Sequence, residues 1–240
     1  MAYRLFTRGT RALECTYHQE ILAQPGRSTR CLRGRGITSI IRIKYFPEYV
    51  YRAGPAMVDT TGKPGAVKQK GRGGGLARGR LVDNEIQQWI QGTTPKGAKP
   101  QLHPFSRAFI ALTQRLRLTP VATQVVVRDE RCNIATLVDA VFLNAVGRTV
   151  VIELKTGFEG YNDVSTGRMR AEFAHLTNSP ANQHKVQLAF THAMFETTFP
   201  EFGVADALLI RMTSAGAHVR SLHPRESAAA RLAMQQASSF

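Results

Sequence analysis

Residues 134–155 read IATLVDAVFLNAVGRTVVIELK, and this stretch decides the fold. Two apolar, β-branched runs at residues 134–143 and 149–154 are separated by the short segment NAVGR, in which Gly147 favours a tight reversal of the chain. A third β-branched run at residues 121–127 precedes them after a polar turn. Three strands joined by two short turns predict an antiparallel meander.

Segments with helical spacing of apolar residues flank the predicted meander. LVDNEIQQWIQG, residues 81–92, places Ile86 and Trp89 at helical spacing. Asp83 can cap the start of this helix and Gly92 its end. The other predicted elements are helices at residues 105–118, 182–195 and 226–236 and strands at residues 204–212 and 217–222. This order predicts an α/β fold in which a mixed central sheet is flanked by helices.

The positive charge is concentrated in the first third of the chain. The whole sequence carries a net charge of +15, and residues 1–80 contain 16 Lys and Arg against 4 Asp and Glu. Residues 81–240 contain 16 against 13, so they are close to neutral. We therefore predict a basic N-terminal arm over residues 1–80 and a folded domain over residues 81–240. Such an arm favours nucleic acid as a partner, because each cation placed on a phosphate releases counterions.

Within this arm, two segments differ in amino-acid composition from the rest. Residues 37–50, ITSIIRIKYFPEYV, form a β-rich alternating stretch and predict a short strand that Pro47 would end. Residues 54–80 are rich in Gly, Lys and Arg and poor in large apolar side chains. That composition is typical of a flexible linker or of a segment that follows nucleic acid.

Composition also restricts the compartment. No apolar run approaches the ~18 residues of a membrane span, so no membrane partner is predicted. The cysteines, Cys15, Cys31 and Cys132, form no C-x-x-C pair, which argues against a disulfide framework and a cysteine-rich zinc site. An intracellular, reducing compartment is predicted (cytoplasm, nucleus or virion), with mitochondrial targeting as an alternative because the N-terminus is rich in Arg. The sequence leaves a homo-oligomer open.

Three charged residues lie in otherwise apolar strands of the predicted meander. Asp139 interrupts IATLVDAVFL, and Glu153 and Lys155 end TVVIELK. Because side chains alternate along a strand, Glu153 and Lys155 share a face, and the short turn between the strands allows Asp139 to lie beside Glu153. Two carboxylates form a hard, oxygen-rich site that suits Mg²⁺ or Mn²⁺. An adjacent lysine can orient a water or stabilise charge on a phosphate.

The spacing D-x(13)-E-x-K on consecutive strands resembles the PD-(D/E)xK nuclease superfamily, in particular its RecB-like and lambda-exonuclease-like branch. The resemblance covers residues 81–222 and implies a restriction-endonuclease-like αβββαβ core. It implies that Asp139 and Glu153 coordinate Mg²⁺, for which Mn²⁺ can substitute, and that the Leu154 carbonyl contributes to the metal site. It also implies that Lys155 acts on the attacking water.

The same branch carries two further polar residues on helices. Its members have a glutamate on the helix before the meander, and Glu85 is the candidate for this catalytic and metal-binding position. They also have a glutamine on the helix after the meander, in a Q-x-x-x-Y pattern, and Gln187 matches this catalytic glutamine. Two positions depart from the branch: Thr191 stands where the pattern has tyrosine, and Val82 stands where many relatives have histidine.

Basic and aromatic side chains are candidates for binding nucleic acid. Phe158 and Tyr161, in the loop TGFEGYND, could stack on an unpaired base or else pack against the domain. Phosphates could be neutralised by cations before and after the predicted meander, namely Arg72, Arg78, Arg80, Arg168, Arg170 and Lys185.

These features predict a Mg²⁺-dependent deoxyribonuclease, either an exonuclease or a structure-selective endonuclease, of the kind used in DNA repair and recombination. An alternative is a non-catalytic nucleic-acid-binding or packaging protein that retains a nuclease fold, although the intact D…E-x-K argues against it. A ribosome-associated or RNA-processing protein is a third hypothesis, which competition between RNA and DNA would separate from the first.

Overall fold

A five-stranded sheet with helices on its faces forms the described part of the protein. The computed structural model describes residues 37, 41, 44–46, 72–93, 102–129, 134–156, 161 and 167–236. Its helices are α1 (Arg72–Gln91), α2 (Pro104–Arg115), α3 (Pro180–Thr198) and α4 (Pro224–Gln236). Its strands are β1 (Thr119–Asp129), β2 (Ile134–Leu143), β3 (Thr149–Thr156), β4 (Val204–Thr213) and β5 (Gly216–Ser221). Two short 3-10 helices, Ala171–Phe173 and Pro200–Phe202, lie before and after α3 in the chain.

The strands follow one another across the sheet in the order of the sequence, from β1 to β5. β1, β2 and β3 pair antiparallel, which confirms the predicted meander. β3 and β4 pair parallel, from Thr149 opposite Val204 to Thr156 opposite Met212, and β4 and β5 pair antiparallel. A parallel pair needs a crossover connection, and α3 lies within it. The sheet is therefore mixed, as the sequence predicts.

Alternating side chains divide the core between the two faces of the sheet. On one face, Val151 of β3 lies in a cluster with residues of α3 and α4, Val186 among them. On the other face, Ile152 lies in a cluster with residues of α1 and α2, such as Ile86 and Phe109. β3 is thus covered on both faces, so a charged side chain near its end is enclosed by the core. Within the described ranges, no helix has the length and apolar character to cross a membrane.

α1 begins earlier than the sequence indicates. Residues 72–80, predicted as the end of a linker, are helical, so the predicted boundary after residue 80 falls within α1. Asp83 lies inside the helix instead of capping its start. The predicted end is confirmed, because Gly92 follows the last helical residue with a φ of 65°, in the left-handed region that favours glycine.

Tertiary contacts explain how a glycine-rich segment becomes helical. Glycine lowers helix stability by about 1 kcal/mol relative to alanine, so local propensity predicts a linker. In the structure, the Arg78 guanidinium lies 5.3 Å from the centre of the Phe105 ring in α2. Gly79 approaches β3, where a β-carbon on it would lie 3.6 Å from Thr156 Oγ1. These contacts with α2 and β3 hold the N-terminal half of α1 in place.

A segment of the predicted arm contributes to the core. Ile37, Ile41, Lys44 and Tyr45 are helical, so the strand predicted over residues 37–50 is wrong at these positions. Ile37, Ile41 and Tyr45 are 1–2% exposed and lie in the same cluster as α3. Their spacing of four residues marks one face of a helix, which the β-branched neighbours obscure in the sequence. Apart from these positions and Phe46, the arm before α1 lies outside the described residues.

Candidate active site

The place where β2 and β3 stop pairing brings one carboxylate from each strand together. Ala140 and Ile152 form the last register pair of these strands, so Asp139 and Glu153 follow directly after it. Asp139 Oδ2 accepts a hydrogen bond of 2.8 Å from the backbone N–H of Leu154. This bond ties the Asp139 carboxylate to the neighbouring strand at the point where regular pairing stops.

Glu153 is the centre of a small hydrogen-bonded group. Its side chain is 1% exposed, and its Oε1 atom accepts hydrogen bonds from Lys155 Nζ at 2.5 Å and from Gln187 Nε2 at 2.6 Å. Gln187 reaches it from α3, on the face of the sheet that Glu153 and Lys155 share. The other oxygen, Oε2, is buried and has no hydrogen-bond partner among the described residues. A buried carboxylate oxygen without a donor is costly, so this atom is suited to bind a cation.

Burial raises the pKa of both carboxylates. Burial, together with the nearby charge of Asp139, raises the pKa of Glu153 to about 7, against the opposing effect of Lys155. Burial also raises the pKa of Asp139, although Lys155 and the Leu154 N–H act in the opposite direction. A bound cation would favour the charged form of both groups.

Lys155 remains protonated in this arrangement. Burial alone lowers the pKa of its ammonium, but the charges of Glu153 and Asp139 outweigh burial and raise the pKa above its usual value. At neutral pH, Lys155 therefore acts as a donor and a positive charge. A protonated amine cannot accept a proton, so Lys155 does not act as a base in this state.

A third carboxylate, that of Asp83 in α1, interacts electrostatically with the charged groups of the site. Burial, and then the negative charge of Asp139, raises the pKa of Asp83 to about 6, while Lys155 lowers it. The charge of Asp83 in turn contributes to the raised pKa of Glu153. Asp83 lies one helical turn after Gly79, the residue of α1 that approaches the end of β3.

Glu85 does not join this group, which corrects its assignment to the site. Its Oε2 atom accepts hydrogen bonds from the backbone N–H of His103 at 2.9 Å and from Ser106 Oγ at 2.5 Å. Glu85 thus stabilises the start of α2. Two residues along a helix correspond to about 200° of rotation, so Glu85 and Asp83 point in nearly opposite directions. From the sequence, Asp83 is predicted to cap the start of the helix. A capping residue is not assigned to a face of the helix, so the sequence does not distinguish the directions of Asp83 and Glu85.

Tyr161 is buried beside the centre instead of being presented to a base. It is 4% exposed, and its hydroxyl lies 3.0 Å from His184 Nδ1. The Arg211 guanidinium lies 4.7 Å from the centre of its ring. Burial and the charge of Lys155 lower the pKa of His184 to about 3, so this imidazole is neutral. Of the two predicted placements, Tyr161 therefore takes the one in which it packs against the domain, and Phe158 lies outside the described residues.

The other predicted nucleic-acid contacts are dispersed over the described surface. Arg80, Arg168 and Arg170 are exposed, and the side chain of Arg72 lies outside the described residues. Lys185 Nζ lies 4.0 Å from Glu226 Oε1 of α4, so part of its charge is directed within the protein. Arg78 packs on the ring of Phe105, as described above. Sequence reasoning missed Asp83 and Arg211, which the structure places close to the predicted centre.

The donors at the site suit the coordination chemistry of Mg²⁺. Within the described ranges, no group of three or more His, Cys, Asp and Glu side chains is placed to hold a metal ion. Mg²⁺ does not require such a group, since it usually keeps several waters and is bound by one or two carboxylates. Asp139 and the unpartnered Oε2 of Glu153 provide that pair.

Comparisons with known proteins leave the family open. No family model and no curated protein matches the chain. An alignment with a solved structure described as "Crystal structure of SSO0001" covers 68% of this chain and 85% of that one, with 13% sequence identity and a TM-score of 0.30. A likeness this weak carries no argument about function.

Proposed function

We propose that the chain is a Mg²⁺-dependent deoxyribonuclease of the PD-(D/E)xK type, for which Mn²⁺ can substitute. One observation carries the proposal: the buried Glu153 carboxylate, next to Asp139, binds Lys155 and Gln187 through one oxygen, and its other oxygen has no partner among the described residues. The element order α, β, β, β, α, β, with its mixed sheet, supports a restriction-endonuclease-like core. The excess of basic residues before residue 81 supports a nucleic-acid substrate.

The residues at the site divide the work of phosphodiester hydrolysis. Bound Mg²⁺ would polarise a phosphate oxygen and lower the pKa of a water. Asp139 and Glu153 would hold the cation, and Gln187 fixes the orientation of the Glu153 carboxylate through a hydrogen bond of 2.6 Å. Protonated Lys155 stabilises negative charge that develops on the phosphate. Asp83 takes the position on α1 that the sequence suggested for Glu85, close enough to influence the charge of both carboxylates.

Digestion of end-labelled linear, circular, single-stranded and branched DNA tests the proposal. We expect cleavage with Mg²⁺ or Mn²⁺, none in EDTA, and a loss of about 100- to 1,000-fold in Asp139→Ala and Lys155→Ala. Arg148→Ala is the matched control, because Arg148 is exposed in the turn at the opposite end of β3. Undiminished cleavage by folded Lys155→Ala would sink the mechanism. DNA binding without cleavage at any divalent metal would favour the non-catalytic alternative.

A pair of substitutions on α1 separates catalysis from stability. Asp83→Asn should lower cleavage at least about tenfold with little change in stability, because it removes a charge beside the centre. Glu85→Gln should preserve cleavage and lower the free energy of unfolding by about 1–2 kcal/mol, because it weakens the bonds to His103 and Ser106. Cleavage rates and urea unfolding measure the two effects. If Glu85→Gln instead lost cleavage and Asp83→Asn kept it, the catalytic role would belong to Glu85.

A further inference from the structure

A row of basic side chains continues across the sheet from the candidate active site. Lys155 of β3 lies opposite Arg211 of β4, and Arg211 lies opposite His218 of β5. Arg220 of β5 lies opposite Leu209, two residues from Arg211 along β4. Residues in register share a face of a sheet, and so do residues two apart on a strand. Lys155, Arg211 and Arg220 therefore point to the same side of the sheet.

The Arg211 guanidinium rests on a rigid support. It lies 4.7 Å from the centre of the Tyr161 ring, which is 4% exposed. The Tyr161 hydroxyl contacts His184, and the Tyr161 carbonyl accepts a hydrogen bond of 3.1 Å from Ala181 N–H at the start of α3. An arginine stacked on a fixed ring loses little further freedom when it binds a ligand, because its planar fork is already oriented.

Among the described residues, no acid forms an ion pair with Arg211 or Arg220. Arg211 is half-buried and Arg220 is exposed. Both side chains can therefore direct their N–H donors to an external anion. Guanidinium groups match the geometry of phosphate oxygens and bind them in a bidentate manner.

We propose that Arg211, supported by Tyr161 and accompanied by Arg220, binds a backbone phosphate next to the one that is cleaved. Neighbouring strands are about 4.8 Å apart, so Arg211 and Lys155 start from adjacent backbone positions, and the Arg211 guanidinium lies over the Tyr161 ring. The ligand class is the phosphodiester backbone of a nucleic-acid strand. This inference rests on the proposed function, because it assigns the flanking phosphate of the same substrate.

Oligonucleotide binding in EDTA tests the phosphate site without hydrolysis. Fluorescence anisotropy should show that Arg211→Ala raises Kd by about 10- to 100-fold, the range for a charge-assisted hydrogen bond. The slope of log K against log salt should become shallower by about 1. Arg148→Ala removes the same charge at the far end of β3 and should leave Kd within about twofold. Arg211→Lys should recover only part of the affinity, because lysine keeps the charge and loses the planar fork.

The outcomes separate this proposal from the nuclease assignment. If the wild type does not cleave DNA and Arg211→Ala still binds weakly, the nuclease assignment fails and the phosphate site stands. If the wild type cleaves, and Arg211→Ala binds as tightly as Arg148→Ala, the phosphate site is overturned and the nuclease assignment stands. Thermal unfolding checks that each variant is folded. If Arg211→Ala is unfolded, the test passes to Arg220→Ala, because Arg220 is exposed. Arg220→Ala must then raise Kd more than Arg148→Ala does, or the proposal fails.

Discussion

At the scale of single residues, the surroundings of the buried Glu153 carboxylate disfavour its ionised form. Burial of a charge is costly, and the repulsion from Asp139 increases that cost. Lys155 and Gln187 compensate at one oxygen only. A cation bound at the other oxygen would therefore stabilise the site, as the proposed function requires.

Stability should depend on pH through Glu153. Its pKa is about 7 in the folded chain against 4.5 in the unfolded one, so the folded state binds more protons between these values. The free energy of unfolding in EDTA should thus fall as the pH rises through this window, by on the order of 1–3 kcal/mol. His184, with its lowered pKa, acts in the opposite direction. Comparison with Glu153→Gln by urea unfolding isolates the effect of Glu153, and identical pH profiles would contradict it.

The residues of the site differ in how far the sequence reveals them. Asp139, Glu153 and Lys155 are predictable because strand alternation and one short turn determine their relative positions. Asp83 is not, since its role depends on how α1 is rotated about its axis against β3. That rotation is set by packing between segments far apart in the chain, such as the approach of Gly79 to Thr156.

At the scale of elements, local patterns predict the strands well and the start of α1 badly. The strands β1 to β4 have apolar stretches with β-branched residues, and these signals lie within each strand, whereas β5, GAHVRS, has only one β-branched residue. Residues 72–80 contain glycines whose propensity opposes a helix, and tertiary contacts such as those with α2 and β3 overcome it. Local sequence patterns therefore do not predict helix boundaries that tertiary contacts determine.

Two glycines in and after α1 should respond in opposite ways to alanine. Gly79→Ala should raise the free energy of unfolding by about 0.5–1 kcal/mol, because it adds helix propensity and makes only an ordinary contact with Thr156. Gly92→Ala should lower it by about 1 kcal/mol, because the φ of 65° is unfavourable for alanine. Chemical denaturation measures both. Destabilisation by Gly79→Ala would show that α1 packs more tightly on β3 than described.

At the scale of the whole molecule, the described domain extends into the segment that charge alone assigns to an arm. Ile37, Ile41 and Tyr45 are buried in the cluster formed with α3 and α4. Net charge counts only ionisable side chains, so it gives no information about three apolar residues on one face of a helix. The predicted boundary at residue 80 falls within α1, and most of the predicted arm before α1 lies outside the described residues.

Ile41→Ala should therefore destabilise the domain. Removing a fully buried isoleucine side chain costs about 2–5 kcal/mol through lost burial and the cavity that remains. Leu81→Ala is the matched control, because Leu81 is 48% exposed and its truncation should change stability by about 0.5 kcal/mol or less. Equal unfolding midpoints for the two variants would show that the N-terminal segment does not pack on the domain.

The parallel pairing of β3 with β4 has a consequence for when the site comes into being. Leu143 and Thr149 pair across a short turn, whereas Thr149 pairs with Val204, 55 residues later. Loop closure over that distance costs more chain entropy, so the meander can form before the crossover closes. A nascent or partly folded chain then holds its carboxylates without Gln187. Because Gln187 lies on the crossover helix α3, its hydrogen bond to Glu153 completes the proposed centre only when the crossover has closed.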